Sequence, residues 1–142
     1  MIAQTIQLAL APVFVLVAIG NIMNLLSSRL GRVVDRSREL QDQHMATQGP
    51  EHDRVVAEIR LLDRRIRLIT RAILLLVSSG LAIGMTVAVL FLEELAAIEL
   101  QRVAASTFLV AIGLLMWALL LFLSETRTAA QQLKIPRAYL ES

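Results

Sequence analysis

The chain has 142 residues, 56% of them hydrophobic, and its mean hydropathy of +0.66 is too high for a soluble fold of this size, so membrane spans are expected. The absence of cysteine excludes a disulfide framework and cysteine ligation of zinc or iron–sulfur clusters, and two histidines leave little for a histidine metal site. A formal net charge of +2 says little as a total; the positions of the charges carry the information.

Residues 6 to 26 contain no ionisable side chain and include Leu8, Leu10, Val13, Phe14, Val15, Leu16, Val17, Ile19 and Ile22. At roughly 20 residues this run is long enough to cross a bilayer as a helix, so 1–26 is read as span one. A cleaved signal peptide is disfavoured, because no Lys or Arg precedes the apolar run and the first basic residue is Arg29.

From Ser27 to Arg71 the composition changes to ten arginines and seven acidic residues. The apolar positions here are mirror images about Gly49-Pro50. Backwards they are His44, Leu40, Ser37, Val33, Leu30 and Leu26; forwards they are Val55, Ile59, Leu62, Ile66, Ile69 and Ile73. Both series step by alternating fours and threes, the spacing of one seam on a supercoiled helix, and each mirrored pair of residue numbers adds to 99. Two antiparallel helices folded about residues 49 and 50 need such a register. Gly49 can take a left-handed C-cap and Pro50 cannot continue the first helix. Since the seam runs on into Leu26 and Ile73, each arm is expected to be one helix with its neighbouring span.

Residues 72–92 form span two, again uncharged, with Gly80 and Gly84 one turn apart beside Ser79 as a small-residue helix-packing surface. The linker from Glu93 to Arg102 follows, completing segment 72–103. Segment 104–142 comprises span three, residues 104–124 with Trp117 and Phe122 towards its far end, and a tail carrying Arg127, Lys134 and Arg137, where Pro136 should stop any entering helix.

Thirteen of the fourteen basic residues lie in 27–71 and the tail, while the linker holds one basic residue against Glu93, Glu94 and Glu99. By the positive-inside rule the hairpin and C-terminus are cytoplasmic and the N-terminus and linker lie outside.

On span one, Gln7, Ala11, Phe14, Ala18, Asn21 and Ser28 fall along one helical face, with Gln4 and Asn24 at its edges. Polar amides are costly in lipid, so this face should look into protein or water. Two readings stay open. Either the amides hydrogen-bond between spans, or symmetry-related copies line a pore with Phe14 as a hydrophobic constriction.

In the hairpin, Asp63 with Arg67 and Asp35 with Arg38 offer support within each arm, but the mirror register sets Arg36 near Arg65, a like-charged pair. Leu61 and Leu68 add a second apolar stripe, taken as an oligomer contact through which neighbouring hairpins would supply acidic partners to the arginines. Arg29, Arg32, Arg67 and Arg71 form a collar where the arms meet the membrane, read as the topology signal plus contact with anionic lipid headgroups. Asp42, His44, Glu51, His52 and Asp53 cluster at the tip without metal-ligand spacing, so no metal or cofactor is assigned. No glycine-rich phosphate loop, cysteine nucleophile or intramembrane proton relay supports an enzyme, and nothing suggests a nucleic-acid partner.

The stretch Asn21-Ile22-Met23-Asn24-Leu25-Leu26, followed by Arg29-Leu30-Gly31-Arg32-Val33-Val34-Asp35-Arg36-Ser37-Arg38, resembles a family of small bacterial inner-membrane proteins classed as a domain of unknown function. That resemblance implies an inner-membrane location and a three-span layout, and no activity or site residues. The expectation is an all-α integral membrane protein of three transmembrane helices, the first two extended into an antiparallel cytoplasmic helical hairpin, assembling as a homo-oligomer. It would act either as an ion channel lined by span one or as a non-conducting scaffold or accessory subunit whose hairpin docks a partner protein.

Overall fold

The structure is a computed structural model in which residues 2–132 are described. Lys134, Pro136 and Arg137 of the expected tail lie outside the described residues. Three helices account for nearly all of the described chain: α1 (Ile2–Ala46), α2 (Pro50–Ala96) and α3 (Gln101–Gln132). Each is long and apolar enough to cross a membrane. At 1.5 Å per residue α1 and α2 are each about 70 Å long, roughly twice the hydrocarbon thickness, so span and arm are one uninterrupted helix on both sides of the hairpin.

Packing follows a seven-residue rhythm. On α1, Thr5, Pro12, Ile19, Leu26, Val33 and Leu40 are buried; on α2, Val55, Leu62, Ile69, Leu76, Ile83 and Leu90 answer them. A strict heptad keeps one side of each helix against its neighbour over its whole length. Of the remaining seam positions, Ser37 is buried, Leu30, Ile59, Ile66 and Ile73 are half-buried beside this line, and His44 at its end is exposed. α2 also packs against α3 along a second heptad, Ala72, Ser79 and Thr86 facing Ala104, Ala111 and Ala118. Small side chains there let the backbones approach, so that the Ser79 hydroxyl donates to the Ala111 carbonyl at 2.7 Å and Thr86 and Thr107 share a hydrogen bond of 2.7 Å. α2 is thus the central helix, with α1 and α3 on its two flanks.

The reversal sits earlier than the sequence mirror places it. α1 ends at Ala46 and α2 begins at Pro50, so the turn is centred on Gln48. Gly49 does take a positive φ of 73°, but with ψ −142° it caps the start of α2 rather than the end of α1. Pro50 occupies the first turn of α2, where its missing N–H costs nothing. The Thr47 hydroxyl donates to the Gln43 carbonyl at 2.9 Å, satisfying one acceptor at the end of α1. With the turn moved, each α1 residue faces one about three positions earlier on α2 than the mirror demands. Leu16 meets Gly80, and the His44 and His52 rings stack 4.3 Å apart.

At the other end α2 runs beyond Leu92 to Ala96, which places Glu93 and Glu94 on the helix and shortens the connection to residues 97–100. Ala97 closes α2 in the left-handed region, φ 55° and ψ 36°.

Candidate functional site

The polar face of α1 is the first feature of functional interest. Every one of its positions from Gln7 to Ser28, including Ala11, Phe14, Ala18, Asn21 and Asn24, is exposed on the surface of the chain, Phe14 at 70%. α1 packs on α2 through the opposite side, the Thr5-to-Leu40 heptad. The side-chain amides of Gln7, Asn21 and Asn24 have no hydrogen-bond partner among the described residues, so they do not join the spans of one chain to each other.

A second feature lies where the hairpin leaves the spans. Glu125 follows Ala104, Ala111 and Ala118 on the same heptad of α3, so it arrives at the α2 contact as a charge in place of a methyl group. Its side chain is fully buried. Arg65 of α2 donates from Nε to Glu125 Oε1 at 3.0 Å, and Arg29 of α1 brings Nη2 to 3.1 Å from Oε2, an ion pair outside hydrogen-bonding geometry. The Arg29 guanidinium also lies over the Phe122 ring, 5.4 Å from its centroid. One carboxylate therefore ties all three helices together at the level where charge first appears on α1.

Next to this triad a cleft of about 670 Å³ opens between α1 and α2, with Ala129 of α3 on its wall. Arg29, Arg32, Arg36 and Arg65 line it together with Glu58, over apolar Val33, Leu61 and Leu62. Arg36 and Arg65 both line this cleft, and each has an acidic partner within the chain. Under the observed register Arg36 pairs with Glu58 at 3.2 Å and with Glu39 at 3.2 Å. These two carboxylates, Glu58 first, hold the Arg36 guanidinium further into its charged form than usual. The like charges of Arg36 and Arg65 are thus compensated within the chain, by Glu58 and Glu39 of the hairpin and by Glu125 of α3.

Residues 9–135 match the family described as "Protein of unknown function (DUF2721)". The chain belongs to that family. No curated protein and no solved structure matches it.

The DUF2721 match takes in the Glu125 triad, the arginine-lined cleft and the polar face of α1 from Ala11 onward, leaving out Gln7 and, at the edge of the face, Gln4. The other sequence candidates fall in different places. Arg67 is exposed and pairs with Asp63 at 3.4 Å, while Arg32 and Arg71 are exposed and Arg29 is drawn inward by Glu125. Asp35 and Arg38 make no ion pair among the described residues. Leu61 and Leu68 are half-buried, Leu61 in the cleft. Gly80 faces Leu16 at ordinary contact distance, 3.6 Å for a Cβ built on it, while Gly84 looks into open space. At the tip, Thr47 Oγ1 lies 3.5 Å from His52 Nδ1, and no group of three metal-ligating side chains converges among the described residues.

In the sequence Glu125 directly follows the apolar run of span three and reads as the first residue of a tail. The signal was its heptad spacing from Ala104, Ala111 and Ala118.

Proposed function

We propose that this protein is a subunit of a homo-oligomeric channel in the bacterial inner membrane, with α1 of each copy lining a shared pore. The observation that carries the reading is the exposed face of α1. Three amides without partners, set among small residues and a protruding Phe14, would otherwise stand in hydrocarbon, where an unsatisfied amide is costly. Facing a common axis supplies them with water or with each other. Phe14 then forms a ring narrow enough to gate by dewetting. The positive-inside rule orients the hairpins and C-terminus to the cytoplasm, where the arms surround a vestibule, with the 97–100 turn and its acidic neighbours outside.

The test begins with the subunit count of the full chain in lipid nanodiscs, by native mass spectrometry or single-particle imaging. A closed ring of roughly four or more copies with Gln7, Phe14 and Asn21 at the axis is expected, followed by conductance that rises in Phe14→Ala. A monomer or dimer leaves no room for a shared pore and sinks the reading.

The second reading is a non-conducting scaffold whose hairpin docks a partner protein. It is favoured by the outer hairpin, which stands as two helices with Met45 89% exposed at its end. A ring without conductance in either the parent or Phe14→Ala supports it.

A further inference from the structure

We propose that the cleft at the base of the hairpin is a binding site for a phosphate-bearing anion. Four arginines, Arg29, Arg32, Arg36 and Arg65, line one opening, and among the described residues of its wall Glu58 is the one carboxylate, with Glu39 and Glu125 pairing to these arginines from beside it. Planar guanidinium forks match phosphate oxygens, and several together make a site rather than a diffuse charge. Three of the four are already held in place. Arg29 and Arg65 are anchored on the buried Glu125, and Arg36 is braced by Glu58 and Glu39. Such anchoring fixes the orientation of these guanidinium groups before a ligand arrives, which lowers the ordering cost of binding. Arg32 has no ion-pair partner among the described residues, so its charge is open to an incoming anion.

The volume and the walls narrow the class of ligand. About 670 Å³ lies within the range of small-molecule sites and exceeds what one inorganic phosphate fills. The floor is apolar, from Val33, Leu61 and Leu62, so the ligand carries nonpolar atoms beside its phosphate. The cleft also begins at Arg29, only a few residues beyond the uncharged run of span one, within reach of the headgroup layer. A phosphate monoester on a lipid headgroup and a soluble organic phosphate share this chemistry. The site is separate from the exposed face of α1 and stands whether or not the assembly conducts.

The experiment uses the full chain in two arms. In the first, native mass spectrometry measures retention of phosphatidic acid against phosphatidylcholine from mixed micelles. In the second, calorimetric titration of pyrophosphate and ATP is made into nanodiscs of phosphatidylcholine alone. Arg32→Ala/Arg36→Ala removes two cleft arginines from exposed positions, and Arg67→Ala/Arg71→Ala removes the same charge from the collar outside the cleft. Preferential retention of phosphatidic acid, weakened about tenfold or more in the cleft variant and unchanged in the collar variant, establishes the site with a lipid source. Binding of a soluble phosphate with the same variant pattern establishes it with a soluble source. Equal losses in the two variants, or no preference for a phosphate anion in either arm, overturns the proposal.

Discussion

Arg65 Nε donates to Glu125 Oε1 at 3.0 Å, and this contact joins the base of the hairpin to the end of the third span. Glu125→Gln removes the carboxylate charge that Arg29 and Arg65 share. Breaking a fully buried pair costs about 3–5 kcal/mol, but the two arginines keep 26% and 16% of their surface in solvent and can turn outward. The expected loss is about 2–3 kcal/mol. Arg65→Gln leaves Glu125 with Arg29 and should cost less, and the double variant should fall short of the sum. Reversible unfolding in mixed micelles, followed by circular dichroism, measures all three. Additive losses would show that Glu125 and Arg65 act independently.

The shifted register makes a second prediction. Leu62 is 2% exposed on the inner heptad, whereas Ile59 on the neighbouring line is half-buried. Leu62→Ala should destabilise the hairpin by about 2–5 kcal/mol and Ile59→Ala by roughly 1–2 kcal/mol, because part of the isoleucine already faces water. Equal costs would point to a symmetric seam, as the mirror about Gly49-Pro50 suggests.

That mirror also shows how far the sequence could be read. Periods of three and four, the uncharged runs and the Gly-Pro pair were enough for three helices and an antiparallel hairpin, because each depends on local pattern. They could not separate registers differing by one turn, since Leu30, Ile66 and Ile73 satisfy either. The choice between registers came from side chains that hydrophobic spacing ignores: Pro50 suits a helix start, and Arg36 reaches Glu58 under the observed register. The polar face of α1 was visible as a face, but which side of α1 meets α2 depends on the Thr5, Pro12 and Ile19 line, whose first two members do not look like core residues. The Glu125 triad required knowing that α3 meets α2 through alanines.

The alanine contact gives a third prediction. Ala111 is fully buried against α2 and its carbonyl accepts from Ser79, so Ala111→Leu must push α3 away. A loss of roughly 1–3 kcal/mol is expected. Gly84→Ala, by contrast, adds a methyl group into open space and should leave the single chain intact or slightly more stable. Thermal unfolding of monodisperse protein compares them. If Gly84→Ala nevertheless lowers the subunit count, Gly84 contacts another copy.

Ala97 supplies a fourth. An alanine at φ 55° carries about 1–2 kcal/mol of left-handed strain, while glycine gives back roughly 0.5–1 kcal/mol through its freer unfolded chain. Ala97→Gly should therefore stabilise the α2 terminus by a net of about 0.5–1 kcal/mol. Slower hydrogen exchange at residues 93–96 would register the change; faster exchange there would mean the left-handed cap is not what limits this end.

The last prediction separates packing within a chain from packing between chains on the face of α1. Asn21 is exposed and its amide has no partner among the described residues, so Asn21→Leu removes no hydrogen bond among them. It replaces a polar group with one that lipid accepts, and single-chain stability should stay level or rise. Assembly should respond in the opposite sense. If copies meet at this face, leucine deprives the ring of its interchain hydrogen bonds or of its wetted lining, and the subunit count in nanodiscs should fall or conductance should drop. Phe14→Ala, on the same face, should preserve the count and raise conductance, because it widens a constriction without touching an amide. Opposite effects of the two substitutions would assign assembly to the amides and gating to the ring. Parent-like counts and currents in both variants would remove α1 from any shared axis and turn attention to the hairpin.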